Sequence, residues 1–402
     1  MKNKIKEKEF VIKNPTLINP FFYYVICWCL TFFLYFISPS QLNTSLNLFL
    51  ICFLVATIII SFFFAIRFNA KYKNKKYKIK SRKKNIMFYL VILSLLTCEF
   101  IYSHNIPLIS SLQGIDSNYQ DFGIPTLHVI LVTITLLMCI NAFLRFKLFK
   151  EKKDLFIFLI FFGYFMLVFS RGMMLLILLC ILCLYLVDKN IRVKYVLYTI
   201  CIVIVLCWGF GILGNLRVSG KWNNSEIILS MGKIDENPYS LLSPFYWAEE
   251  YIICSLRNLN YNIENLTPTY SINDLLYVTL PDFISKRIMN NNVIYVKRLV
   301  GYFTSLTTYS LHYSAFGYLG MIFEFLNYLL IGIVLDNFKF SNAIYKFSIL
   351  AIASILFGLS IFDAMLQYSG YSFVLVWGLI GGSYIITKRN NSIVLKKDSI
   401  GE

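Results

Sequence analysis

The sequence predicts an all-α integral membrane protein of about ten transmembrane helices, with both termini cytoplasmic and one large outer loop carrying an amphipathic helix. Three observations lead there. The 402 residues are 58% hydrophobic and 17% aromatic, too apolar for soluble domains of this length. Apolar runs of spanning or near-spanning length recur along most of the chain. Lys and Arg gather in alternate connections, as they do in the cytoplasmic loops of multi-pass proteins. The net charge of +17 therefore reads as membrane orientation rather than as affinity for nucleic acid.

The apolar runs cover about 21–37, 46–66, 86–103, 126–144, 155–169, 173–187, 195–213, 313–335, 347–362 and 366–386. Basic residues number five before the first, ten in Arg67 to Lys84, five in "RFKLFKEKK" and three in "KNIRVK". Two more lie at Lys339 and Lys346 and four in the C-terminal tail, so 29 of the 38 fall on one side. The first apolar run lacks a small-residue cleavage site after it and reads as a retained anchor. Nine of the ten cysteines lie in the spans, where packing is the expected role; Cys254 alone lies in an outer loop.

Arg171, in "VFSRGMML", is the only charged residue between Leu155 and Val187. An arginine at bilayer depth costs about 2.5–3.5 kcal/mol even on lenient scales. A single helix through this region would put the basic loops on its two sides at opposite faces. The chain is therefore expected to turn at Ser170-Arg171-Gly172, with Arg171 on the outer side at the start of the sixth span, where helix amides also favour an anion. Each arm has about fifteen residues, roughly 22 Å against a 30 Å core, so the turn is expected below the outer surface.

The chain divides into spans one to seven (1–214), a large outer loop (215–312), and spans eight to ten with a tail (313–402). Ser243 and Pro244 suit a helix start. Phe245, Ala248, Ile252, Ser255, Leu256 and Leu259 then share one face, with Glu249, Glu250 and Arg257 elsewhere around the helix. That pattern fits a helix lying on the membrane surface or lidding a cavity, or one simply packed on the bundle.

Arg171 and Arg217 each adjoin the outer end of an apolar span, and Arg217 follows the glycine-interrupted "GFGILGN". A guanidinium carries a permanent charge and a fixed fork of donors, which suits phosphate. The plainer alternative is that these arginines snorkel or mark span ends. Among titratable groups, His312 stands where the large loop re-enters the membrane, and Glu249, Glu250 and Asp282 are rivals for general-base work. There is no HExxH, Walker A, GxSxG or GxGxxG in a strand-helix setting, which leaves soluble hydrolase, ATPase and dinucleotide readings without support.

With its many spans, basic cytoplasmic face and late outer loop, the chain resembles the Wzy-type O-antigen or oligosaccharide repeat-unit polymerases of bacterial inner membranes, relatives of the O-antigen ligases. The local features are "SRG" heading a span, "GNLR" opening the loop, "LPDFISKR" within it and "SAFGYLGMIFEFLNYLLIG" entering the eighth span. The chain departs from the family's arginine-plus-eleven-glycine pattern at Arg171, Arg217, Arg287 and Arg298 alike.

The resemblance implies an enzyme on the outer face that transfers a glycan from one undecaprenyl pyrophosphate to a repeat unit on another, without metal or cofactor. It implies pyrophosphate binding at Arg171 and Arg217, with Arg287 and Arg298 beside them, and a catalytic role for His312. Glu249 and Glu250 stand with His312 as proton-accepting candidates. The partners implied are the lipid-linked oligosaccharide, the bilayer, and a chain-length regulator and flippase as companion proteins; no nucleic acid is expected. The competing expectations are an O-antigen ligase with the same donor, and a lipid-linked oligosaccharide flippase or transporter. Mid-span acids, which a transporter needs, are few: Glu99, Glu324 and Asp363.

Overall fold

A computed structural model describes residues 7–80, 86–112, 122–191, 193–289 and 294–383. In chain order, strand β1 (Glu7–Val11) is followed by α1 (Pro20–Ile37), α2 (Leu48–Tyr72), β2 (Lys76–Lys80), α3 (Ile86–Ser103) and α4 (Pro107–Leu112). Next come α5 (Leu127–Phe149), α6 (Lys152–Leu167), α7 (Arg171–Leu186) and α8 (Val193–Ser219). The large loop contributes α9 (Glu226–Gly232), α10 (Phe245–Asn265), α11 (Ile272–Thr279) and α12 (Asp282–Ile288), before α13 (Thr308–Asn337), α14 (Ala343–Gly358) and α15 (Ser369–Gly382).

Over its described residues, each of the ten apolar runs falls mostly on a helix: α1, α2, α3, α5, α6, α7, α8, α13, α14 and α15. In an apolar run the backbone can satisfy its own polar groups only within the segment, and that selects the helix. Among the described residues, six helices are long and apolar enough to cross a membrane: α1, α2, α3, α5, α13 and Ala343–Ile361. Arg171–Leu186, Val203–Ser219 and Ser369–Gly382 are apolar but shorter.

The chain turns just before the expected Ser170-Arg171-Gly172, so that Arg171 and Gly172 already belong to α7. α6 and α7 have 16 residues each, about 24 Å of helix, and are joined by Val168, Phe169 and Ser170. Phe169 takes the left-handed conformation at φ 58°. Ser170 N–H then reaches the Phe165 carbonyl at 3.1 Å and closes the reversal.

α14 forms the centre, buried over most of its length and packed against α1, α5, α7 and α15. At one end of the bundle the basic segments meet. β1 pairs antiparallel with β2, Phe10 opposite Tyr77 and Glu9 opposite Lys78. Phe10 and Ile79 are buried, and the Phe10 ring packs at a tilt against Phe347 of α14, centroids 5.1 Å apart. Lys13 N–H donates to the Val187 carbonyl at 2.9 Å, while Lys71–Asp336 and Lys147–Asp188 ion pairs join neighbouring connections at 2.9 and 2.7 Å.

Two sequence expectations are corrected. "GFGILGN" does not interrupt α8, which stays helical to Ser219; its glycines clear room for α10 instead. A Cβ on Gly211 would lie 1.9 Å from the Pro244 carbonyl oxygen, and one on Gly214 2.7 Å from the Trp247 ring. α13, by contrast, is broken where an unbroken span was expected. Phe316 and Gly317 leave helical geometry, Gly317 at φ 60°. The carbonyls freed there accept from the outer-loop segment beside them, Thr269 N–H to Ser314 at 3.0 Å and Ser271 N–H to Ala315 at 3.2 Å.

Candidate functional site

α10 starts at Phe245, one residue after the expected Pro244, and packs on the bundle, the plainest of the settings expected for it. From Ile253 to Asn260 every residue is buried, polar and apolar alike, in a setting built by α1, α8, α9 and α13. Enclosure is possible because the polar side chains of α10 bind backbone from two other segments. Asn258 Nδ2 donates to the Phe303 and Ser305 carbonyls, both at 2.9 Å, and its Oδ1 accepts from Leu299 N–H at 2.9 Å. Asn262 holds Lys297 in the same two-way manner, at 2.7 and 2.8 Å. On the opposite face Asn260 accepts from Asn47 N–H at 2.8 Å. This frame escaped the sequence reading, although "RNLNYN" was its signal: Asn258 and Asn262 are one helical turn apart.

Glu250 is fully buried in a two-pronged pair with Arg257, Nη1 to Oε2 and Nη2 to Oε1, the second at 3.1 Å. Arg257 Nε continues to Asn43 Oδ1 at 2.5 Å. Burial raises the Glu250 carboxyl and Arg257 opposes the rise. Both oxygens are committed, so Glu250 belongs to the frame and the expected proton-accepting role does not fit it. Glu249 differs. It is half-buried, its Oε1 has no hydrogen-bond partner among the described residues, and the Ser38 hydroxyl binds the carboxylate. Burial lifts its carboxyl above the ordinary value against the pull of Ser38 and Arg257.

His312 is also corrected. It is fully buried, Nδ1 lies 2.8 Å from the Thr308 carbonyl, and Nε2 lies 3.3 Å from Thr279 Oγ1 and 3.1 Å from Glu324 Oε2. With both nitrogens engaged, the ring offers no free edge to a substrate hydroxyl. His128 has an acidic partner too: Nδ1 meets the buried Glu99 carboxylate at 3.1 and 3.2 Å, and Tyr164 donates to Glu99 Oε2 at 3.0 Å. The sequence placed His312 at the re-entry of the large loop but showed neither acidic partner. These partners lie on another helix or beyond a break, which no spacing reveals.

Asp282, the remaining rival, opens α12. Burial alone would raise its carboxyl, but donors from Ser369 and Lys286 take it below the ordinary value. Ser369 N–H reaches Oδ1 at 2.9 Å, and Phe283 N–H returns to Ser369 Oγ at 2.8 Å. Asp282 thus ties α12 to the first turn of α15.

The four predicted arginines are all exposed and fall into two settings. Arg171 stacks over Phe169 at 4.6 Å, and the next residue, Gly172, abuts the Tyr371 hydroxyl of α15. Arg287 stacks over Phe283 at 3.9 Å, donates to Thr126 Oγ1 at 2.6 Å, and shares the same first turn of α15 through Phe283 and Ser369. Arg217 and Arg298 instead flank α10. Arg217 follows Asn215, which accepts from Trp247 Nε1 at 2.8 Å, and Arg298 sits between the two residues clamped by Asn258 and Asn262. Among the described residues no side-chain hydrogen bond or ion pair engages Arg171, Arg217 or Arg298. The expected joint grip of Arg171 and Arg217 has no shared partner: α7 packs on α5, α6 and α14, and α8 on α9 and α10.

Among the described residues no three His, Cys, Asp or Glu side chains form a metal-binding group. The chain matches no protein family, no curated protein and no solved structure.

Proposed function

We propose that the chain is a bacterial inner-membrane polymerase of lipid-linked oligosaccharides, crossing the membrane ten times with both termini cytoplasmic. It takes a growing glycan from one undecaprenyl pyrophosphate and transfers it to a repeat unit on another, at the outer face. The observation carrying this reading is the division of the outer-end arginines into two settings. A polymerase handles two lipid pyrophosphates, donor and acceptor, and each requires cationic donors; a ligase handles one. On this reading Arg171 and Arg287 hold one headgroup, and Arg217 and Arg298 the other. Guanidinium groups stabilise the charge that develops on the departing pyrophosphate. Glu249 accepts the proton of the attacking hydroxyl.

The experiment is complementation of a polymerase-deleted strain with Arg171→Ala, Arg287→Ala and Arg217→Ala at matched membrane levels, scored by the ladder of glycan lengths. The reading expects short or absent ladders from each, and full ladders from all three would remove it. A second reading, a proton-coupled transporter of the same lipid-linked glycan, is favoured by the buried Glu99–His128 and Glu324–His312 pairs, since acids inside spans mark proton pathways. Deletion separates the two. One repeat left on the lipid core means polymerase, and no attached glycan means transporter or ligase.

A further inference from the structure

α8 carries Lys194 in its first turn and Arg217 in its last. At about 1.5 Å per residue, Trp208 stands about 21 Å from Lys194, about 9 Å short of the far edge of a hydrocarbon core of about 30 Å. Trp208 Nε1 nevertheless donates to the carbonyl of Leu241, a residue of the large outer loop, at 2.8 Å. One turn on, Gly211 makes room for Pro244. The chain between α9 and α10 therefore runs down beside α8, below the level of Arg217, and α10 starts from there.

Residues 237–248 carry no charged side chain. Leu241, Leu242 and Tyr239 are 75%, 68% and 62% exposed, and near Trp208 the α8 residues Leu206, Phe210 and Leu213 also face outward. The polar groups of the segment bond one another instead. Ser240 N–H reaches the Asn237 carbonyl at 3.1 Å, Ser243 N–H the Ser240 carbonyl at 3.2 Å and Phe245 N–H the Leu242 carbonyl at 2.9 Å. Tyr239 N–H is held by Asn237 Oδ1 at 3.0 Å and Leu242 N–H by Ser240 Oγ at 3.2 Å, while the buried Ser243 hydroxyl donates to the Asn237 carbonyl. Irregular backbone persists at membrane depth only where the protein itself meets its polar groups.

We propose that the segment 239–244 dips into the outer leaflet and seats Leu241 and Leu242 among lipid acyl chains. The insertion rests on the reading of α8 as a span, and it holds whichever reaction the chain performs. Interfacial segments reach about 5–10 Å into the boundary between headgroups and acyl chains, which matches the level of Trp208. Lipid is the occupant because α8 sets the depth and because the two leucines present only aliphatic tips. The insertion also fixes the start of α10. Pro244 lies on Gly211 and Trp247 on Gly214, so the asparagine frame that follows is anchored to the membrane through this turn.

The test is labelling of single introduced cysteines by a membrane-impermeant maleimide in intact spheroplasts of an expressing strain, with the parent chain's own signal subtracted. Lys221→Cys should label from outside and Lys194→Cys only after lysis, which checks the crossing of α8 by itself. Leu241→Cys and Leu242→Cys should label at least about tenfold more slowly than Lys221→Cys or Glu236→Cys, since only the thiolate reacts and hydrocarbon disfavours it. Rates at 241 and 242 equal to that at 236, with both controls as expected, overturn the insertion alone. The opposite result at Lys221 or Lys194 overturns the span and the insertion with it. Leu242→benzoylphenylalanine, in the full chain in nanodiscs of phosphatidylglycerol and phosphatidylethanolamine, identifies the occupant on irradiation. Phospholipid adducts are expected, and adducts with protein only, or none, overturn the proposal.

Discussion

Arg257→Leu strands a carboxylate. Glu250 has no exposed surface, and Arg257, 3% exposed, occupies both its oxygens. Breaking a buried pair by removing one partner costs about 3–5 kcal/mol, whereas replacing both partners with apolar residues is often nearly neutral. Cys254, on the same helix one turn from each, reports on local opening; its thiol is buried and pushed up to about 12 by that burial. When reclosing outruns labelling, the maleimide labelling rate follows the opening equilibrium. At about 1.36 kcal/mol per tenfold, Arg257→Leu should label roughly a hundredfold to a few thousandfold faster than wild type. Glu250→Leu with Arg257→Leu should return to within about tenfold of wild type. Burial already holds the Glu250 carboxyl above its ordinary value, so the single variant's defect should shrink at acidic pH, where the orphaned carboxylate takes a proton. Wild-type labelling in Arg257→Leu, or a double variant faster than either single, would refute the description of α10 as a frame held by this pair.

Three further outcomes follow from the same geometry. Gly211→Ala puts a methyl 1.9 Å from the Pro244 carbonyl oxygen, an overpacking that costs about 1–3 kcal/mol. The thermal aggregation midpoint in detergent should fall, and an unchanged midpoint would mean that α8 and α10 do not pack there. For Glu249, glycan-transfer activity should fall as pH drops through a midpoint above the ordinary carboxyl value of 4.5, since burial raises that carboxyl and the base acts ionised. Glu249→Gln should abolish the reaction while leaving membrane levels intact, and an active variant would remove the assignment. The depressed Asp282 carboxyl contributes stability that is present above the unfolded value near about pH 3.9 and lost as pH falls through its lower folded value. Asp282→Asn should therefore lower exchange protection at Ser369 N–H at neutral pH, and unchanged protection there would show that the tie to α12 carries no weight.

The helical character of the apolar runs was legible because backbone in such a run has one way to bond itself, and the reversal was expected within a residue or two of where Phe169 makes it. The strand pair Glu7–Val11 with Lys76–Lys80 was not, since it depends on Phe10 and Ile79 finding α14 far along the chain. Nor was the break in α13, which is held open by donors from Thr269 and Ser271. The polar residues of α10 misled most. Glu250, Arg257 and the three asparagines look like a solvated face, and they are buried because Glu250 pairs with Arg257 while Arg257 and the asparagines find partners on distant segments. Of the arginines the positions were visible but the surroundings were not: Gly172, next to Arg171, and Phe283, one turn from Arg287, both meet the first turn of α15, a neighbour that sequence separation hides.

The most direct measurement uses the purified chain in nanodiscs with a synthetic undecaprenyl-pyrophosphate repeat unit as sole substrate and no nucleotide sugar or metal added. The account predicts a ladder of lipid-linked glycans growing by whole repeats with release of undecaprenyl pyrophosphate, lost in Arg171→Ala and Arg217→Ala. Unchanged substrate with the wild-type protein, or a ladder that survives both substitutions, would contradict it.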